Sequence, residues 1–317
     1  MSTTIRFHQY GGPEVLVVEE ERVGAPQAGQ VRLRQEAVGV NFIDTIFRQG
    51  VFPMSLPGVT GVEGAGVVEE LGPGVESVQV GDRVAYFLSP GSYAGVRLIN
   101  AADLIAVPDD LTTLEVATIL TKGLTAWAAL NGFYNLQSGD RVLIQGASSN
   151  VGLLVARWAR AKGAFVIGTT GSPDKLELIR GSVDHALLSN DSGFQRQLSE
   201  LLPTGADVVY EFVGRVTFAT SAASAKDGGR IVTIGAASGP PEVDQAELAK
   251  RNVHLVGGPM AQHLQGRLGA AVAEVFQAFR EGTFGEYTPS TYPLEAAALA
   301  HSEIASRRKI RPMVLLP

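Results

Sequence analysis

Seven consecutive residues, Gly146-Ala147-Ser148-Ser149-Asn150-Val151-Gly152, have the types and spacing to hold a phosphate between an apolar run and an amphipathic one. Small side chains let a ligand approach the backbone, and the N–H groups at a helix start supply donors to a pyrophosphate. The usual glycine fingerprint is incomplete, because its first, third and sixth positions hold Ala147, Ser149 and Gly152. Ser149 adds a hydroxyl that can donate to a phosphate. Two readings stand for this stretch: a dinucleotide site of the nicotinamide kind, or an ordinary parallel βαβ crossover that binds nothing. A second group, Asn41-Phe42-Ile43-Asp44, places an amide and a carboxylate just after the run Val31 to Val40. By itself it reads as turn chemistry, with Asp44 capping the short helix that follows.

The elements around the turn are legible. Val142 to Ile144 and Phe165 to Thr169 read as apolar strands. Between them Val151, Leu154, Val155 and Trp158 share one helical face, while Arg157, Arg160 and Lys162 lie away from it. Gly163 sits where a left-handed helix stop belongs. From about residue 115 the chain alternates helices with apolar strands at 142–145, 165–169, 184–188, 206–212, 229–234 and 253–257, the pattern of an open doubly wound sheet. Before that point Val15 to Glu19, Gln30 to Val40, Gly64 to Leu71, Asp82 to Phe87 and Tyr93 to Ile99 predict a partly open β-barrel or sandwich. The tail predicts helices near 266–281 and 294–305 and a last strand, Met313 to Leu316, that folds back onto the N-terminal domain.

Composition narrows the classes. A chain of 317 residues suits two domains. A net charge of −6 without a long basic run argues against nucleic acid as a partner. No apolar run approaches the roughly 18–20 residues that span a bilayer. The start, MSTTIRFHQYGG, lacks the apolar core of a secretory signal, so the expectation is a soluble cytoplasmic protein without membrane partners. The absence of cysteine excludes disulfides, thiolate zinc sites and a cysteine nucleophile. Of the five histidines, none has a second ligand at metal-site spacing, and no metal is expected.

Four segments together carry a family resemblance: VGVNFIDTIFRQG (38–50), LPGVTGVEGAGVVEELGPGV (56–75), VGDRVAYF (80–87) and the 141–171 unit. In order, spacing and the terminal VLLP, the chain resembles the medium-chain dehydrogenase/reductase superfamily, and within it the zinc-free quinone oxidoreductase (zeta-crystallin-like) branch, over essentially its whole length. The resemblance implies an α/β fold class: a GroES-like β-rich catalytic domain over 1–118 and 262–317, and a Rossmann doubly wound parallel-sheet cofactor domain over 119–261. Zinc-dependent relatives carry cysteine where this chain has Asn41, and a His-Glu pair where it has Val62-Glu63. Without that Lewis acid, hydride delivery to an electron-poor acceptor is favoured over alcohol oxidation.

The resemblance also implies residue roles. Asn41 stands beside nicotinamide and substrate as the catalytic position, with Asp44 supporting it. Ile46, Arg48, Phe52 and Glu63 fall in the substrate-pocket segments; Ile46 and Phe52 occupy positions where close relatives carry tyrosines. Arg48 is otherwise a solvated helix charge, and Glu63 otherwise a salt-bridged structural residue. Thr125, in KGLT, is implied as a nicotinamide-side contact, the alternative being a helix-capping threonine.

The second strand of the unit ends TTGSPDK, with Gly171, Ser172 and Lys175 where an NAD-specific site would carry an acid. A small, uncharged opening beside a cation suits a 2′-phosphate, although Asp174 is also present. The family uses the matching lysine in that way, together with positions that correspond to Ser189 and Arg307. Ala147, Ser148, Ser149, Asn150, Val151 and Gly152 are implied to hold the pyrophosphate. Val213 and Gly214, Ile234, Gly235 and Ala236, and Gly257 are implied at later strand ends. The expected protein is an NADPH-dependent (NADP+-forming), zinc-free reductase of quinones or similar activated carbonyls, a homodimer by resemblance, with its proton drawn from water. The alternatives are an enone or enoyl reductase on the same fold and a non-enzymatic NADPH-binding module.

Overall fold

The structure, a computed structural model, describes residues 1–306 and 311–317. Its contacts divide the chain into two units, Met1–Thr121 with Tyr287–Pro317, and Lys122–Glu286.

In chain order the first unit contains β1 (Ser2–Phe7), β2 (Val17–Glu21), β3 (Gln30–Val40), α1 (Phe42–Arg48), β4 (Gly58–Val59), β5 (Gly64–Leu71), β6 (Arg83–Tyr86), β7 (Val96–Asn100), β8 (Ile105–Ala106) and the start of α2 (Thr113–Ala128). β3 organises it. Its alternation buries Val31, Leu33 and Ala37 with period two. One edge of β3 pairs antiparallel with β5, Leu33 opposite Val68, and the other with β7, Leu33 opposite Arg97. Val31, Leu33, Val68, Val84, Tyr86 and Ile99 form one core cluster. Gln35 is buried on the same strand, and its amide is satisfied by the carbonyls of Ser92 and Ala94 and the Tyr86 hydroxyl.

The second unit contains β9 (Arg141–Gln145), α3 (Asn150–Ala161), β10 (Phe165–Thr170), α4 (Pro173–Arg180), β11 (His185–Leu188), α5 (Phe194–Leu201), β12 (Ala206–Glu211), α6 (Phe218–Ser224), β13 (Ala225–Thr233), α7 (Gln245–Lys250), β14 (His254–Gly257), α8 (Ala261–Leu264) and α9 (Leu268–Arg280). Its strands pair in parallel, in the order β11-β10-β9-β12-β13-β14. That order reverses between β9 and β12, so the connections diverge there and leave a crevice at the carboxyl ends. Val142, Leu143, Ile144, Val166 and Ile167 are fully buried as unbroken apolar runs, as strands covered on both faces must be. Gly163 ends α3 with φ +85°, a conformation that favours glycine.

The chain returns to the first unit as β15 (Ser290–Pro293), α10 (Ala297–Ser306) and β16 (Met313–Leu316). β16 pairs antiparallel with the end of β3, Leu315 opposite Val38 and Met313 opposite Val40. The tail therefore completes the first unit, as its sequence predicts. The segment 262–286 does not go with it, contrary to the sequence-based boundary. Arg157 of α3 donates to the Phe284 carbonyl, Trp158 packs its edge on Phe284 at 5.4 Å, and a Cβ on Gly123 would stand 2.5 Å from Val275. Amphipathic helices near a boundary join whichever face accepts their apolar stripe, and α9 finds that face in the second unit. Among the described residues no helix is long and apolar enough to cross a membrane.

Leu315 is fully buried in the cluster with Ile5, Phe7, Val38 and Tyr93. Leu315→Ala is expected to cost about 2–5 kcal/mol, read as a lower urea midpoint at an unchanged m-value.

Candidate functional site

The carboxyl edge of the parallel sheet gathers most of the residues singled out above. After β9 the chain turns at Gly146, whose φ is +81°. The turn is tied to the next strand by the Ala147 N–H, which donates to the Thr169 carbonyl at 2.9 Å. Ser149 caps α3, its Oγ accepting from the Gly152 N–H at 3.0 Å. The Ser149 oxygen thus serves the Gly152 amide, while the first N–H groups of any α-helix lie outside its i→i−4 ladder. Gly152 is required by close packing: a Cβ there would stand 2.6 Å from the Gly146 carbonyl and 2.8 Å from Ser149 Oγ. A Cβ on Gly146 would meet Val213 at 2.9 Å, so the ends of β9 and β12 touch. The cradle fits the backbone approach and helix-start amides that a pyrophosphate needs.

At the end of β10 the hydroxyl groups converge. Ser148 Oγ lies 3.2 Å from Thr170 Oγ1, and the Ser172 N–H donates to that same oxygen at 3.3 Å. Ser189 donates its N–H and its hydroxyl to the Thr170 carbonyl, at 2.9 and 3.3 Å. Lys175 stands in the first turn of α4, half-buried, and Asp174 on that turn is exposed. Thr170 is the hub of this cluster, and sequence reasoning passed over it; being the last residue of its strand was the available signal. Arg307 lies outside the described residues.

The ends of β12 and β13 meet around a residue that sequence reasoning missed. Glu211 is fully buried. Its Oε1 accepts from the N–H groups of Val213 and Gly214 at 2.8 and 2.9 Å and from Thr217 Oγ1 at 2.8 Å. Its Oε2 accepts from Ser221 Oγ at 2.6 Å. The Glu211 carbonyl accepts from the N–H groups of Ile234 and Gly235, and Ala236 lies against Gly214. Val213, Gly214, Ile234 and Gly235 are thus placed by one carboxylate and one carbonyl. Gly257 closes β14 opposite Thr233. Thr125 lies within α2, so it is not a helix cap.

The first unit holds the other candidates. Asn41, not Asp44, is the N-cap of α1. Asp44 sits three residues on and accepts the Asn41 N–H at 2.8 Å. The Asn41 side chain donates to Glu63 Oε1 at 2.8 Å, and Glu63 Oε2 accepts the Thr121 N–H at 2.9 Å. Glu63 is fully buried and orients Asn41. Arg48 is not a solvated charge: it is 1 % exposed, donating Nε to the Gly11 carbonyl at 3.0 Å and Nη1 to His301 Nδ1 at 2.9 Å. His301 Nε2 lies 2.9 Å from the Tyr93 hydroxyl, which donates to Asp44 Oδ2 at 3.0 Å. Ile46 is half-buried, and Phe52 is half-exposed with its ring 6.1 Å from Phe47.

Electrostatics follow from that burial. Loss of water, reinforced by the Arg48 charge, pushes His301 down to about 3, so the imidazole is neutral. Burial and then the neighbouring Asp44 carboxylate push the Tyr93 phenol up. Burial lowers Arg48 from its usual value. Among the described residues no group of three or more His, Asp or Glu side chains is disposed to hold a metal ion.

Fold and strand-end geometry define a two-unit α/β oxidoreductase of the medium-chain dehydrogenase/reductase superfamily. Residues 27–109 match the alcohol dehydrogenase GroES-like domain and residues 150–277 the zinc-binding dehydrogenase family. The chain is 35% identical to a quinone oxidoreductase of Pseudomonas aeruginosa, with all of both chains covered. It is 36% identical to a 2-haloacrylate reductase of a Burkholderia species, covering 98% of each. It also resembles the structure of Escherichia coli quinone oxidoreductase complexed with NADPH, with a TM-score of 0.94 and 30% identity over 99% of this chain and 100% of that one. The chain belongs to the superfamily's zinc-free quinone oxidoreductase branch.

Glu211→Ala is expected to destabilise the protein by at least about 3 kcal/mol in urea unfolding, because four buried donors lose their acceptor, and Glu211→Gln to recover most of that loss. His301 predicts a pH dependence. Its proton is bound by the unfolded chain below about 6.5 but by the folded one only below about 3. Its contribution is therefore present above pH 6.5 and lost as the pH falls toward 3. The stability advantage of the wild type over His301→Gln should shrink by about 1 kcal/mol per pH unit between pH 6 and 4.

Proposed function

We propose that this chain is an NADPH-dependent, zinc-free reductase that delivers hydride to quinones or similarly activated carbonyl acceptors. The observation that carries the reading is the end of β10, where Ser148, Thr170, Ser172 and Ser189 converge beside Lys175. Hydroxyl donors and a cation suit a 2′-phosphate, and no carboxylate stands where an NAD site would place one. The NADPH complex of the E. coli relative and the quinone oxidoreductase relatives support the same assignment.

In this reading the chain binds and orients. The helix-start amides at Asn150 and Val151 and the Ser149 hydroxyl hold the pyrophosphate, with Ala147, Ser148 and Gly152 keeping the turn close to it. Ser172, Ser189 and Lys175 take the 2′-phosphate. Val213 and Gly214 wall one side of the cofactor, Ile234, Gly235 and Ala236 another, with Gly257 beyond them. In the second unit Thr125 is a nicotinamide-side contact on family grounds; in the first unit the Asn41 amide faces the acceptor, flanked by Ile46 and Phe52. When bound, NADPH supplies the hydride from its reduced ring. Asn41 contributes by positioning the acceptor and donating to its oxygen, and the proton comes from water. The surviving donor set around Asn41, one amide and the Glu63 carboxylate, does not fit a zinc site. A homodimeric, cytoplasmic protein belongs to the same reading on family grounds.

A second reading is a reductase of enones or other activated alkenes. It is favoured by the 2-haloacrylate reductase relative and by apolar Ile46 and Phe52, which offer an acceptor no hydroxyl. Mixing the protein with NADPH and 1,4-benzoquinone should bleach the nicotinamide absorbance over many turnovers. Lys175→Glu should raise the KM for NADPH at least tenfold, about 1.4 kcal/mol or more of lost binding, and leave that for NADH little changed. Turnover of enones or 2-haloacrylate without any quinone would select the second reading. Tight NADPH binding without reduction of any acceptor would make the protein a binding module.

A further inference from the structure

We propose that Arg48, His301 and Tyr93 form a positioning relay that acts through Asp44 to set Asn41; the proposal rests on Asn41 facing the acceptor, as in the function above. The relay is built within the first unit from residues up to 253 positions apart. Arg48, His301, Tyr93 and Asp44 are each at most 1 % exposed, so none can exchange its partners for water.

The donors and acceptors allow one direction only. A guanidinium has no acceptor, so Arg48 Nη1 must donate and His301 Nδ1 must accept. A neutral imidazole accepting at Nδ1 carries its proton on Nε2, which therefore donates to the Tyr93 oxygen. The single phenolic proton then goes to Asp44 Oδ2, the oxygen that also takes the Asn41 N–H. The Thr60 hydroxyl donates to the Asp44 carbonyl at 3.0 Å and fixes the same residue from the other side. Asn41 is thus held twice, by its main-chain N–H on Asp44 and by its side-chain amide on Glu63. Packing alone does not call for this arrangement. Ala297 and Ala300 beside His301 on α10 are apolar core residues, and a buried polar chain is harder to satisfy than an apolar one. What the chain adds is a unique orientation at its far end, which positioning catalysis requires.

Tyr93→Phe keeps the ring and removes both hydrogen bonds. The expected result is an approximately tenfold lower kcat for acceptor reduction, with the KM for NADPH within about twofold. In an Asn41→Ala background the same substitution should change kcat by less than about twofold, since nothing is left to position. His301→Ala should reproduce the loss and His301→Gln, whose amide can both accept and donate, should restore most of it. An unchanged kcat in Tyr93→Phe, or an equal loss in the Asn41→Ala background, overturns the proposal. Hydrogen exchange at the Asn41 main-chain amide in NADPH-free protein provides a measurement without turnover. It should accelerate in Tyr93→Phe or, if that variant does not fold, in His301→Ala, and unchanged exchange overturns the relay. If the wild type reduces no acceptor, the functional reading fails by itself and the exchange result still decides the relay.

Discussion

A polar group cut off from water must find its partners inside the protein, and this constraint acts within each of the two units on the segments that carry the candidate residues. Asp44 and Glu211 are fully buried carboxylates, one at the first turn of α1 and one at the end of β12. Each is satisfied by donors from the very segments that carry the candidate residues. Asp44 draws in the Asn41 backbone and the Tyr93 phenol, and Glu211 draws in Val213, Gly214, Thr217 and Ser221. An uncompensated carboxylate in either place would cost several kcal/mol, so the loops around it have little freedom to adopt another path. Rigidity at these loops follows from a need for partners more than from apolar packing.

The second constraint is directional. Parallel strands joined by right-handed crossovers place their carboxyl ends on one edge, whatever the residues there do. In this chain that edge carries a close-packed small-residue turn at Gly146–Gly152, a hydroxyl cluster around Thr170 and a turn at Glu211 held by its carboxylate. The first unit supplies a different kind of rigidity. Its long strand β3 is flanked by β5, β7 and β16 and delivers Asn41 at the point where pairing ends. The last residues of the chain thus brace the strand that precedes Asn41, and α10 brings His301 from the same tail. Chain segments far apart in sequence converge on one short helix.

Much of this was legible in advance. The strands of the second unit were readable to within a few residues, the central ones because a strand buried on both faces must be continuously apolar and a helix between two such strands must be amphipathic. β3, β5 and β16 were readable to the residue, from alternation bounded by glycine, proline and asparagine. The turn Gly146–Gly152 was readable from residue size, and the family from four spaced segments. Less visible were β1 and β15, short strands whose patterns are weak without their partners. The side to which α9 would pack was misjudged, since an apolar stripe says that a helix is covered but not by what.

The sequence by itself determined which residues could do chemistry locally: the small-residue turn, the hydroxyl-rich end of β10 with Lys175, and the amide at Asn41. Only the tertiary structure decided which charges are buried and with whom. Arg48 reads as a solvated helix cation and His301 as one histidine among five, and nothing in the sequence singles out Glu211. Their roles appear once folding removes the water around them. A charge in sequence has solvent as its default partner, and only the packed structure says where that partner is missing and which residue replaces it.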